Sequence, residues 1–412
     1  MARAGFRIFD ADTHIIEPAE PIEAYLTAGD RARLAAAGPL VERAPAKAGM
    51  SRYRIGKRPA LDRRLGSRER VVPPSAEARG AKDGGTPWDV RWQGPPFPSP
   101  RVSFDPHARV RDMDLEGIDV NMILPSGGVP AFAALDDVAL EQGMYRAYHR
   151  FLADYCGAYA DRLTGVLLVS ARDAAASVAE IRRCGEQDWP VGVLPICPPG
   201  MPIDDPDWEP IWAAAQAHDL TVVIHSFTMT VPYPPGVWDT WDNVFLQRAA
   251  GHVWNAQRNM AALIGAGVLD RHPRLRLTAL ECGHGWLASW AARLDELAEM
   301  SRHALPPLAR RPSEYVRGPQ YFQSIQLHEG EQSLRHAIEA LGEDTLMFAT
   351  DYPHSESWFP KSVEIVLGWR SISETARRKL LWDNAARCYA RLRARRPAVI
   401  DPVPSAGRLP AT

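Results

Sequence analysis

The chain has 412 residues, 46% of them hydrophobic and 24% charged, which supplies a sizeable core and suits a barrel carrying insertions. A net charge of −2 and the lack of any apolar run of membrane-spanning length exclude a general affinity for nucleic acid or a membrane. Five scattered cysteines with no C-x-x-C pair exclude a disulfide framework, and with no basic-then-apolar leader a soluble, cytoplasmic protein with reduced thiols is expected.

The first element is read as a strand over Phe6–Asp10, which stops where Asp10, Asp12, His14 and Glu17 begin. Asp12 and His14 are two apart, so on an extended backbone they project to one side. A carboxylate and an imidazole aimed at one point suit a divalent metal, although the same letters also fit a polar turn. Residues 1–25 are thus taken as the first barrel strand and its site loop. Residues 26–106 are rich in Pro, Gly, Ala and Arg without a sustained period, and read as an insertion or lid after strand 1. Its basic run from Arg52 to Arg70 fits either a solvated face or an electropositive cover that draws in an anion. The aromatic stretch Trp88–Phe97 is expected to pack over a pocket mouth.

Residues 107–392 alternate regularly. Helix Ala108–Gly117 leads to strand Ile118–Leu124, and helix Asp137–Ala160 to strand Leu163–Val169. Helix Ala174–Gly185 precedes strand Val191–Ile196, and helix Pro206–His218 precedes strand Leu220–His225. A Pro- and aromatic-rich loop from Phe227 to Trp241 is followed by helix Val244–Gly265 and strand Leu275–Leu280. Helix Trp286–Met300, strand Tyr321–Leu327, helix Glu331–Leu341 and strand Thr345–Thr350 complete the series, before a tail over 393–412. Continuously apolar strands between helices mean a parallel sheet covered on its faces. Eight such units predict an α/β fold, a closed (β/α)₈ TIM barrel. No Gly-rich phosphate loop follows any strand, which counts against a dinucleotide fold.

A barrel of this kind carries its functional groups at the carboxyl ends of the strands. The first gives Asp12 and His14, and the fifth ends in His225 after four apolar residues. The sixth ends in Glu281-Cys-Gly-His284, and the eighth in Asp351-Tyr-Pro-His354. Acid or imidazole at four equivalent positions points to a metal centre. The remaining helix-borne histidines, His149, His218, His252, His272, His303 and His336, read as ordinary core or surface residues, and His328 as a marginal pocket residue.

These residues fall in motifs spread over the whole chain outside the insertion. They are Asp10-Ala-Asp-Thr-His-Ile-Ile-Glu-Pro18, Arg111-Asp-Met-Asp-Leu-Glu-Gly-Ile-Asp119, Asp161-Arg-Leu-Thr-Gly165, Asp351-Tyr-Pro-His354 and Asp383-Asn-Ala-Ala-Arg387. With them the chain resembles the amidohydrolase-related metal-dependent enzymes, the superfamily branch that includes aminocarboxymuconate-semialdehyde decarboxylase and aromatic-acid decarboxylases. The resemblance implies one divalent metal in the barrel, Zn²⁺ first and Mn²⁺ second, held by Asp12, His14, His225 and Asp351. Asp12 replaces the more usual histidine or glutamate. No lysine ends strand four, so a bridged two-metal site is not expected. The decarboxylases end their sixth strand in a catalytic histidine, whereas this chain has Glu281 there and His284 three residues on.

The ligand set fits two reactions on a small, carboxylated, anionic substrate: metal-assisted hydrolysis and non-oxidative decarboxylation. In either, His284 with Asp351 is expected to move the proton while Glu281 orients the imidazole or a water. Glu17 and His354 are expected at the substrate or just behind the ligands. No nucleic-acid or membrane partner is expected, and a homodimer is common in such families. The rival reading is a barrel that has lost its metal and serves as a binding or scaffold protein.

Overall fold

The computed structural model describes residues 4–38, 40–55, 98–198, 200–227, 231–232, 237, 244–354 and 357–395. Its strands, in chain order, are β1 (Phe9–Ile15), β2 (Val41–Pro45), β3 (Ser51–Ile55), β4 (Val120–Pro125) and β5 (Leu163–Val169). They continue with β6 (Pro190–Pro195), β7 (Thr221–Ile224), β8 (Leu277–Ala279), β9 (Tyr321–Ser324) and β10 (Leu346–Met347). Eight of them form one sheet in the order β1-β4-β5-β6-β7-β8-β9-β10, every pairing parallel. The first and last strands then meet. Ala11 donates its N–H to the Phe348 carbonyl (3.0 Å), His14 to Tyr352 (2.7 Å), and Asp351 to Asp12 (3.0 Å). The expected (β/α)₈ barrel is therefore observed, and closure leaves no open edge in it.

The strands are continuous apolar runs because both faces are covered. All residues of β4 and β5 are buried, as are those of β7, β8 and β9. Helices placed by local signals cover the outside. Asp105 caps helix Pro106–Glu116 by accepting from the N–H groups of His107 and Ala108, and Gly117 ends it at φ 87°. Asp137 and Asp173 cap Val138–Gly157 and Ala174–Cys184 in the same way. Beneath the barrel, Phe9 packs on Trp382 and Tyr389 at ring separations of 5.8 and 5.7 Å.

Two expectations are corrected. The first strand is not Phe6–Asp10 but Phe9–Ile15, so Asp10, Asp12 and His14 lie inside it, buried. Polarity was the misleading signal: Asp10 belongs to the barrel wall because Thr350 donates to its carboxylate through both N–H (3.0 Å) and Oγ1 (2.5 Å). The second concerns the insertion, whose start is regular. Thr27 caps helix Ala28–Ala36, and β2 and β3 pair as an antiparallel hairpin from Val41↔Ile55 to Pro45↔Ser51. Tyr53 and Ile55 bury there, while Arg52 and Arg54 face outward. The rest of the basic run, the whole stretch Trp88–Phe97, most of Phe227–Trp241 and nearly all of the 393–412 tail lie outside the described residues.

Close strand packing predicts a sensitive point at Gly192 in β6. A Cβ there would lie 2.7 Å from the Thr221 carbonyl oxygen of the neighbouring strand. Gly192→Ala should destabilise the fold by about 1–3 kcal/mol, measured by urea unfolding, since overpacking a parallel ladder has no cheap relaxation.

Candidate metal centre

The side chains that the sequence places at separate strand ends converge at one mouth of the barrel. Ligand atoms of Asp12, His14 and His225 lie within 4.8 Å of one another, and so do those of His14, Glu281, Asp351 and His354. His14 belongs to both groups. Its Nδ1 stands 2.8 Å from the Pro125 carbonyl, which can only accept, so Nδ1 carries the proton and Nε2 presents a lone pair. That Nε2 faces Asp12 Oδ1 and Asp351 Oδ1, each at 3.3 Å, without a hydrogen bond to either.

Asp12 Oδ1, Asp351 Oδ2 and both ring nitrogens of His225 are likewise buried without a hydrogen-bond partner. A void of about 20 Å³ lies against Asp12, Glu281 and Asp351, with His328 also in its wall. That is room for roughly one water or ion. Buried polar atoms are nearly always satisfied, and buried charges are paired or bind a metal. Carboxylates and imidazoles around such a void are the donor types that Zn²⁺ and Mn²⁺ take, so the residues present fit a divalent ion.

Two of these residues are held in an unfavourable backbone conformation. Glu281 has φ 49° and Asp351 φ 60°, the left-handed region that side chains with a Cβ avoid. Each is locked by a neighbouring strand: Ser324 Oγ accepts the Glu281 N–H (3.1 Å), and the Asp12 carbonyl accepts that of Asp351. Strain of about 1–3 kcal/mol per residue persists only where the surroundings impose it, and such sites are characteristic of function.

Electrostatics separate the two carboxylates. Burial pushes the Asp351 carboxyl well above the usual range, and the Glu281 charge adds to the rise. Glu281 is pushed up by burial as well, but the neighbouring His252 and His225 and the Arg248 charge outweigh it and hold the group well below the usual range. His225 Nε2 is 3.0 Å from Glu281 Oε2, and His252 Nδ1 is 3.6 Å from Oε1. His252 is thus part of the site, against its reading as an ordinary helix residue. Its helix, Val244–Gly265, crosses the barrel mouth, and the sequence gives no register to reveal that.

His354 stacks on His14, ring centroids 4.2 Å apart. It bridges Asp351 Oδ1 (2.8 Å, through Nδ1) to Ser126 Oγ (3.0 Å, through Nε2), and burial lowers its pKa to about 4. Glu17 is buried beneath the loop that follows β4. It accepts N–H groups of Ser126 (3.0 Å), Gly127 (3.2 Å) and Val129 (3.0 Å), so its oxygens face the backbone. His284 departs most from expectation: the structure does not bring it to Asp351. Its Nδ1 lies 3.0 Å from Glu329, whose carboxylate also accepts the N–H groups of His284 (2.9 Å) and Gly285 (2.7 Å). Gly283, at φ 72°, leaves the space that Glu329 fills: a Cβ there would meet Glu329 Oε1 at 2.1 Å. The glycine turn is thus a cradle for the Glu329 carboxylate.

A separate buried group, His149, Glu180 and Cys184, is satisfied internally. His149 contacts Glu180 at 2.8 Å and accepts the Leu168 N–H at 2.8 Å, and Arg183 pairs with Glu180 at 2.6 Å.

Fold and donor set together define a (β/α)₈ barrel with a carboxylate–imidazole metal centre at the carboxyl ends of its strands. The amidohydrolase family model matches residues 10–391, and the chain belongs to that family of enzymes. It is similar to the gamma-resorcylate decarboxylase of Polaromonas sp. (strain JS666 / ATCC BAA-500), 27% identical over 303 residues, which cover 68% of this chain and 86% of that protein. Among solved structures, an amidohydrolase from Mycobacterium avium subsp. paratuberculosis K-10 matches with a TM-score of 0.68 and 21% identity, over 94% of this chain and all (100%) of that one. A 5-carboxyvanillate decarboxylase from Novosphingobium aromaticivorans DSM 12444, complexed with manganese and 4-hydroxy-3-methoxy-5-nitrobenzoic acid, matches with a TM-score of 0.63 and 20% identity, over 94% and 96%. Among the described residues, no helix is long and apolar enough to cross a membrane.

The burial of Glu17 yields a test that separates structure from substrate contact. Glu17→Ala strips the acceptor from three buried backbone N–H groups. Stability should fall by about 2 kcal/mol or more, with faster amide exchange at 126–129 and only a secondary effect on KM.

Proposed function

We propose that the chain is a mononuclear, metal-dependent decarboxylase acting on a carboxylated aromatic substrate. The observation that carries the metal half is the His14 Nε2 lone pair facing two buried carboxylate oxygens, each 3.3 Å away, beside an ion-sized void. It also disfavours the reading as a metal-free scaffold, in which the same donors would be buried with nothing to offset them. The similarity to gamma-resorcylate decarboxylase supports the reaction half.

Asp12, His14, His225 and Asp351 are the proposed ligands. Pro125 fixes the His14 tautomer through its carbonyl, which raises the basicity of Nε2. A divalent ion held there supplies Lewis-acid stabilisation of charge on the substrate oxygens. The proton is assigned to Asp351. Its carboxyl stands at the centre with His354 behind it, so once protonated it can deliver that proton to the ring carbon that bears the carboxylate. The new C–H bond takes its electron pair from the ring. Cleavage of the carbon–carboxylate bond returns a pair to the ring and releases CO₂. His354, bonded to Asp351 and to Ser126, holds the carboxyl in its rotamer. His284 receives a positioning role, because its near partner is Glu329.

Hydrolysis is the second reading, and one observation favours it. Glu281, ionised beside His225 and His252, is suited to orient an attacking water by accepting its hydrogen bond.

Two measurements test the proposal. Purified protein should contain about one divalent ion per chain, Mn²⁺ or Zn²⁺, and Asp12→Asn with His225→Asn should lose it. Excess metal at 100 times its Kd should stabilise chelated wild type by about 2.7 kcal/mol and leave the double variant unchanged. With gamma-resorcylate and 5-carboxyvanillate as probes, Asp351→Asn should lower turnover by about 10²–10⁴-fold, and His284→Asn by much less. Release of CO₂ supports decarboxylation; solvent ¹⁸O in a new carboxyl or hydroxyl group would establish hydrolysis instead.

A further inference from the structure

A cavity of about 520 Å³ opens from His225 across the barrel mouth, bounded by Cys197 beyond β6 and by one face of helix Val244–Gly265. An apolar cavity of roughly 150 Å³ holds one benzene ring, so this space exceeds what a single-ring acid fills. The helix contributes Trp254, Asn255, Arg258 and Asn259, spaced three to four residues apart and so on one face.

Arg258 is the informative member. It is half-buried, its guanidinium lies 5.8 Å from the Trp254 ring centroid, and among the described residues it has no ion pair and no hydrogen bond. Asn259 donates to Asn255 Oδ1 at 3.3 Å, which leaves the Asn255 amide N–H groups directed elsewhere. The one acidic group among the described lining residues, Asp204, is exposed and therefore well screened by water. An unpaired guanidinium with amide donors beside it is suited to a planar carboxylate, which it can bind through two parallel hydrogen bonds.

We propose that Arg258, assisted by Asn255, reads a second anionic group on the substrate, in the cavity that His225 also lines. The preferred substrate class is then an extended aromatic diacid: one carboxylate at the metal centre, a second at Arg258, and the ring system in the apolar span between. This rests on the carboxylate-binding reading of the centre given above.

The test is calorimetric binding to the metal-loaded full chain, using diacids and their monoacid parents of increasing span. Suitable pairs are isophthalate with benzoate, naphthalene-2,6-dicarboxylate with 2-naphthoate, and biphenyl-4,4′-dicarboxylate with biphenyl-4-carboxylate. At least one diacid should bind about 10- to 100-fold tighter than its parent, as charge-assisted hydrogen bonds allow. In Arg258→Gln that ratio should fall to about one, and Arg258→Lys should keep part of it. Equal binding in every wild-type pair overturns the proposal, and so does a preference that survives in Arg258→Gln. Monoacid binding that persists undiminished after chelation would instead overturn the carboxylate-on-metal reading, while an Arg258-dependent preference would stand.

Discussion

The molecule depends on one electrostatic constraint: Asp12, Glu281 and Asp351 are buried together with His14 and His225 at one end of the barrel, with His354 half-buried beside them. Burying a carboxylate costs several kcal/mol unless it is paired, and pairing with neutral imidazoles offsets little of that. The barrel meets part of the cost by fixing several of these groups from behind. The Pro125 carbonyl holds His14, Ser126 holds His354, and the Asp351 backbone is tied to Asp12. What remains open is the set of lone pairs facing inward, and a cation completes it.

Closure of the barrel and assembly of the centre are the same event. The hydrogen bonds that join β1 to the chain after β10 run through Ala11, Asp12 and His14 on one side, and Phe348, Asp351 and Tyr352 on the other. Asp10 adds a side-chain clasp to Thr350, and buried Arg109 reaches the His14 carbonyl from below. The left-handed conformation of Asp351 is imposed by this seam. Local strain at the site is therefore balanced by pairing along the whole length of the first strand, not by contacts within the site alone.

The sequence was most legible where function and topology coincide. His225 and Asp351 follow apolar runs at equivalent points of the repeating pattern, so the barrel itself located them, and Asp12 and His14 followed from a spacing of two. What failed was anything depending on register across elements. Asp10, Asp12 and His14 looked like the end of a strand because polarity is normally a sign of exposure, yet they sit inside β1, where Thr350 clasps Asp10 and the Pro125 carbonyl holds His14. His252 was invisible because a helix crossing the barrel mouth presents one face inward, and periodicity does not say which loop lies beneath it. His284 misled for the opposite reason: it follows a strand end, but Glu329, from a segment 45 residues away, sets the direction of the turn. Such contacts are long-range, and no local pattern carries them.

The same division explains how one barrel serves different substrates. The strands fix the metal centre, and their freedom to vary is small because each ligand is also part of the ladder or its closure. Helix Val244–Gly265 is less restricted on the face that meets the cavity, while His252 and Arg248 act on Glu281 and Met260 packs into the core. Positions 254, 255, 258 and 259 can change size and charge without disturbing a single strand pairing. A guanidinium there, half-buried and without an ion pair or hydrogen bond among the described residues, is a cost to the free protein in desolvation. An anion arriving in the cavity recovers that cost, so the group favours charged substrates over neutral ones of the same shape. On the reading proposed above, the strands would carry the reaction and the helix the choice of substrate, so the two could diverge independently within a single fold.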